Sequence, residues 1–511
     1  MSSKGINRRD FLKVVSGGVI GGYITLAHGP SLAQRMGGGG GGGGMGGGGG
    51  VIDPPPGAVF KDPALLTLSR SGSLVEGSLE VRVAPINVNG VMANLMTYNG
   101  LFPGPTIKVT RGDILRLNFT NSLPFTTQLN YLGFQKNHTN LHTHGWHVSP
   151  QEPADAAHLD ILPGQTYLYQ YDTALQPGGT FNFYHPHRHG LVAEQYWAGL
   201  KGALIVEDET PALSGFETHI MVLSDISLSG GAPAPHAMMG DFMNGKEGNI
   251  IMVNGQVNPV LSAKPGQVQR WRIVNASNAR HYKLSLSNHS MYLIGTDGGL
   301  LDKPYLRSQI LLSPGERVDI LVKASSTKGS YKFLSMPYSR MGMMNSAQIT
   351  LATLSVQGTA ASQTIPTSIN PGAVRLNMNT TGLPQRILTL SMSMGRGYIN
   401  GMDFDVSPYT IMSALGTYEV WTVVNQSNMD HPFHQHVNAA QVLSISGADS
   451  SYPTYQTLPA WKDTVMVPKN GSVKLLVPVM DYDGMTMFHC HILEHEDIGM
   501  MGMWHLMGMG M

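Results

Sequence analysis

The sequence predicts an all-β protein built from Greek-key β-sandwiches, and three observations predict it. Short stretches alternate apolar and polar side chains and end in turn formers: residues 78–90 (SLEVRVAPINVNG), 106–121 (TIKVTRGDILRLNFTN), 268–277 (VQRWRIVNAS) and 317–325 (RVDILVKAS). No long segment with a 3.6-residue apolar period competes with them. The length, 511 residues, corresponds to about three domains, and 42% hydrophobic with 13% charged residues is enough for substantial cores.

The first sixty residues read differently. Residues 7–13 (NRRDFLK) precede a weakly apolar run, 14–27, that is interrupted by Gly17, Gly18, Gly21 and Gly22. Such a run falls short of the roughly 20 apolar residues that span a bilayer. The paired arginines resemble a twin-arginine export signal, which places residues 1–33 in the signal, with Ser31 to Ala33 as a small-residue cleavage site and Gln34 opening the mature chain. The expected location is therefore periplasmic or extracellular. The tract 36–50 is almost pure glycine and lacks the Lys-Ser/Thr of a phosphate-binding loop, so residues 34–59 read as a Gly/Pro-rich linker. Thirty-three basic and 33 acidic residues give no net charge, which argues against nucleic acid or an anionic membrane surface as partner. Residues 253–267 echo 98–113 (Asn-Gly, a short gap, Pro, apolar alternation, Gly before a strand) and suggest internal duplication.

The chemistry concentrates around the only cysteine. Cys490 lies in residues 488–501 (FHCHILEHEDIGMM), where an intrachain disulfide is impossible; an intermolecular bridge, an inert thiol or a metal ligand remain. If His489, Cys490 and His491 form a strand, the imidazoles leave one face and the sulfur the other, so one short strand touches two sites. Thiolate, imidazole and the thioether of Met500 together suit a blue-copper centre. That centre needs a further imidazole, and three more clusters supply candidates: His142, His144 and His147 (HTHGWH); His185, His187 and His189 (HPHRH); His431, His434 and His436 (HPFHQH). Aromatic and apolar residues punctuate all of them, unlike a disordered metal-scavenging tail.

In order along the chain, these motifs resemble the four copper-binding motifs of the multicopper oxidases, the laccase-like group. Residues 99–113 (NGLFPGPTIKVTRGD) and 461–465 (WKDTV) belong to the same resemblance, which covers the chain from about Leu79 onward. The resemblance implies four copper ions. His431, Cys490 and His495 would hold the type 1 copper with Met500 axial. His142 and His434 would hold the type 2 copper, His144, His185 and His491 one type 3 copper, and His187, His436 and His489 the other. His147 and His189 are left over. It also implies three cupredoxin domains, at about 60–208, 209–365 and 366–511, with the cluster between the first and third and the middle one, which has no His-x-His pair, as a spacer.

Reduction of dioxygen to water consumes protons, and two acidic residues are candidates to deliver them: Glu496, directly after a ligand, and Asp155, at a distance from the first motif similar to the family's acidic residue. The expected activity is one-electron oxidation of a reductant (phenols, aromatic amines or cuprous ion) coupled to four-electron reduction of dioxygen, in a monomer. A copper-sequestering exported protein and a non-catalytic interaction protein are the alternatives. The chain has 31 methionines, dense at 236–245, 339–345 and 499–511. They are either flexible core filler or soft thioether ligands for cuprous ion.

Overall fold

Alternation in the sequence becomes alternation in burial. In the strand Ile114–Asn121, Leu115, Leu117 and Phe119 are buried while Arg116 and Asn118 between them are not. The computed structural model describes residues 51–207, 210–341 and 347–508; the export signal, the glycine tract, Met343 and Met344 lie outside these.

The strands fall into three consecutive blocks, each with two principal sheets. In the first, a five-stranded sheet built on Leu74–Val88 and Ile114–Asn121 accompanies a four-stranded sheet of Gly104–Val109, Gly202–Val206, Phe181–His185 and His142–His144. The middle block has two six-stranded sheets, centred on Val268–Asn275 with Arg317–Lys323 and on Gly329–Met336 with Gln348–Val356. The third has two five-stranded sheets; one contains Thr417–Asn425 and Ser472–Val479, the other His431–Gln435, Gly484–Cys490 and Met501–Met507. Val51–Ile52, within the stretch read as linker, adds an edge strand in parallel to Gln348–Val356.

Val268–Asn275 departs from simple alternation, because every residue in it is buried. Its polar positions face protein rather than water: Arg270 and Arg272 both meet Asp319 on the neighbouring strand, Arg272 Nε at 3.3 Å. Paired in this way, the guanidinium groups satisfy the rule that a buried charge needs a counter-charge. One hydrophobic cluster runs from the middle block (Trp271, Phe333) into the third (Trp421, Phe433, Trp504), so the blocks share a core. Among the described residues no helix is long and apolar enough to cross a membrane.

Candidate metal centre

The motif histidines ride on paired strands. His142–His144 runs antiparallel to Phe181–His185, with His142 opposite His185; His431–Gln435 runs antiparallel to Gly484–Cys490, with Phe433 opposite Cys490 and His434 opposite His489. Strand pairing therefore brings residues some 50 apart within reach, and the side-chain period of two sends His434 and His489 one way and Cys490 the other.

Two groups result. In the first, Cys490 Sγ lies 3.4 Å from His431 Nδ1 and 3.6 Å from His495 Nδ1, and the two nitrogens are 3.2 Å apart. The outer nitrogens are held: His431 Nε2 is 2.8 Å from Ser427 Oγ, and His495 Nε2 is 3.3 Å from the carbonyl oxygen of Met243. Met500 is buried beside this group, its carbonyl accepting the Cys490 N–H at 3.0 Å. Burial pushes the Cys490 thiol up from its ordinary value.

The second group gathers eight imidazoles. Nε2 of His489 is 3.2 Å from Nε2 of both His187 and His436. The His144 ring stacks on His434 at 3.8 Å between centroids, and His142 on His436 at 4.0 Å. His491 meets His144 at 4.8 Å and His185 at 5.6 Å; His142 and His434 are 5.9 Å apart. All eight are buried. Four of these rings bond one nitrogen to a carboxylate, carbonyl or hydroxyl and leave the other without a partner. Nδ1 of His142 meets Asp155, Nδ1 of His434 the Asp463 carbonyl and Nδ1 of His185 the Pro186 carbonyl, while their Nε2 atoms are orphaned. His144 is the reverse, with Nε2 beside Asp463 and Thr464 and Nδ1 orphaned; both nitrogens of His491 have none. Burial drives the imidazoles towards the neutral form, His187 and His431 down to about 3 and His489 to about 4. Neutral rings with inward lone pairs and no partner are what a metal ion satisfies, so these residues fit copper ions.

Both candidate acids lie at this group. Asp155 Oδ2 sits 2.7 Å from His142 Nδ1, and burial pushes the carboxyl up to about 6. Glu496 Oε2 is 3.1 Å from His489 Nδ1 and Oε1 is 3.5 Å from His187 Nε2, neither well enough aligned for a hydrogen bond; burial raises it as well. The leftover histidines stand apart and tie the first block to the third: His147 reaches Asp481 and the Val437 carbonyl, and His189 reaches Asp405. Gly145 and Val437, chain neighbours of His144 and His436, line a cavity of about 360 Å³.

Sequence reasoning missed Asp463. Its Oδ1 is 3.2 Å from His144 Nε2 and 3.4 Å from His434 Nδ1. The signal was present in the WKDTV stretch, which marked the resemblance without indicating what its aspartate touches.

Comparison with known proteins agrees with this geometry. Three multicopper oxidase family models match in succession, at residues 80–211, 217–359 and 371–506. A multicopper oxidase of Staphylococcus haemolyticus is 28% identical over 419 residues, 80% of this chain and 83% of that one. A laccase of Bacillus subtilis is 27% identical over 80% of this chain and 89% of that one. The structure of a Campylobacter jejuni multicopper oxidase, described as a metallo-oxidase, superposes with a TM-score of 0.77 at 29% identity, covering 89% and 97% of the two chains. With family models spanning most of the chain and buried imidazoles gathered where copper would sit, this chain belongs to the multicopper oxidases, copper-binding oxidoreductases built of three cupredoxin-like Greek-key domains.

Proposed function

We propose that the protein takes electrons singly from a small reductant at a type 1 copper and delivers them to dioxygen, reduced to water, at a trinuclear copper centre. His431, Cys490 and His495, with Met500, would hold the first. His142 and His434 would hold the type 2 copper; His144, His185 and His491 one type 3 copper; His187, His436 and His489 the other. Bound copper would supply one-electron exchange at the thiolate set and multi-electron reduction of dioxygen at the histidine set.

The observation that carries this reading is the placement of three consecutive residues. Cys490 faces His431 and His495, while His489 beside it reaches His187 and His436. A covalent path through the backbone from Cys490 to His489 thus joins the two groups, and electrons need no diffusing carrier. Ser427 and the Met243 carbonyl orient the type 1 imidazoles, and Asp155 orients His142. Asp155 and Glu496, whose carboxyls burial raises, hold protons for the oxygen chemistry.

Phenols, aromatic amines and metal ions are the reductant classes, in keeping with relatives named laccase and metallo-oxidase. Residues 7–13 support export. The test is stoichiometry in an oxygen electrode. Copper-loaded protein should consume one dioxygen per four one-electron reductant molecules without releasing peroxide. Copper uptake without oxygen consumption would instead identify a copper-sequestering protein.

A further inference from the structure

The middle block contributes no histidine to the copper centres, yet one of its turns is driven into them. Residues 313–317 (SPGER) join the strands Ile310–Leu312 and Arg317–Lys323. Gly315 has φ +83°, and a Cβ built on it would fall 2.8 Å from Cγ and 2.9 Å from Nδ1 of His491. Only a glycine lets the backbone lie against that ring. The next residue, Glu316, is fully buried and receives Lys462 Nζ at 2.8 Å and the Tyr452 hydroxyl at 2.7 Å, both from the third block.

Arg317 follows, also fully buried. Its guanidinium donates to both carboxylate oxygens of Asp463, at 2.7 and 2.5 Å, to Asn182 Oδ1 at 2.7 Å and to the Phe181 carbonyl at 3.1 Å. Phe181 and Asn182 lie on the strand that ends at His185. Asp463 in turn touches His144 and His434. A Cβ on Gly145, next to His144, would collide with Arg317, Asn182 and Asp463 together. The turn is itself fixed, with the Ser313 N–H and hydroxyl donating to Glu316 Oε2 and the Gly315 N–H to the Asn275 carbonyl.

We infer that this turn is the positioning element of the trinuclear centre: Gly315 sets the plane of His491, and Arg317, through Asp463, sets His144 and His434, so that the copper-free middle domain completes the cluster. The inference rests on the copper assignment proposed above. Arg317 belongs to the middle block and its planar fork donates to both the first and the third, so it fixes their relative placement beside His144 and His434, which a lysine at the same position would not reproduce.

The test loads wild type, Gly315→Ala, Arg317→Lys and the control Gly164→Ala with copper. It then measures copper per chain, the visible spectrum, the type 2 copper EPR signal and the rate at which reduced protein is reoxidised by dioxygen. Gly164 has φ +81° and nothing within 4 Å of its added Cβ, so it carries the backbone strain without the contact. Gly315→Ala and Arg317→Lys should keep the blue band of the type 1 site while losing cluster copper or shifting the type 2 signal, and should reoxidise roughly 10- to 100-fold more slowly. Gly164→Ala should match wild type. If Gly315→Ala fails to fold, Arg317→Lys carries the test. Full copper and wild-type reoxidation in both variants would overturn the inference, as would equal losses in Gly164→Ala or loss of the blue band alongside the cluster. Wild type that takes up no copper would instead overturn the copper assignment itself.

Discussion

Asp155 Oδ2 lies 2.7 Å from His142 Nδ1, and Oδ1 of the same carboxylate accepts the Thr143 N–H at 2.8 Å. One side chain therefore fixes a cluster imidazole and the strand that carries it. Asp155→Asn keeps the shape but loses the acid. Oxygen reduction should fall by about 10²-fold, while one-electron reduction of the type 1 site by substrate stays at the wild-type rate. Stopped-flow measurement of the two half-reactions separates them, and an equal fall in both would remove Asp155 from proton delivery.

His142 and His434 are the pair assigned to the type 2 copper, and each presents an orphaned Nε2. His142→Ala or His434→Ala should lose that copper and stop oxygen consumption, leaving the blue band intact. Unchanged oxygen turnover in both variants would mean that other residues build the cluster.

The methionine question turns on geometry near His495, whose Nε2 faces the Met243 carbonyl at the end of the short helix Met239–Asn244. Met238 is 61% exposed there, so its thioether is accessible to solvent. Changing Met238, Met239, Met243, Met341, Met343 and Met344 to Leu preserves apolarity and removes six thioethers. Cuprous turnover should drop about tenfold or more while phenol turnover holds or rises. Turnover of both substrates falling together, or neither changing, would assign the methionines to packing.

Lys201 gives a pH dependence of stability. Its ammonium is buried, donates to the Ala276 carbonyl at 2.9 Å and lies over the Tyr196 ring; burial lowers it to about 7. The unfolded chain binds this proton more tightly than the folded one, so between about pH 10 and 7 stability is lost as pH falls. Lys201→Met should remove that loss. From urea unfolding of copper-free protein at pH 7 and 9.5, the stability change with pH should differ between wild type and variant by about 3 kcal/mol, wild type losing stability towards pH 7. No difference between their pH profiles would contradict a depressed Lys201.

The all-β class and the histidine clusters were legible because both depend on local periodicity. Alternation along Ile114–Asn121 predicts its buried face, and i, i+2 spacing in His142/His144 or His489/His491 predicts imidazoles that travel together. The illegible part is made by distant chain segments. Asp463 meets His144 across 319 residues, and Arg317 meets Asp463 across 146; neither spacing leaves a trace in sequence. Backbone groups are equally silent: nothing in the letters around Met243 announces that its carbonyl faces His495. The middle block reads as a spacer because it has no His-x-His pair, and the role inferred for it above would come from a glycine and a charge rather than a ligand.

In the proposed arrangement Cys490 is a copper ligand and its two neighbours belong to a different centre. Absorption and copper analysis of Cys490→Ser test both parts at once. The charge-transfer band of the wild-type protein should vanish, oxidase activity with it, while copper falls by about one ion per chain and the histidine cluster stays metallated. A Cys490→Ser protein that remains blue, or one that loses all its copper, would contradict the division of these three residues between two sites.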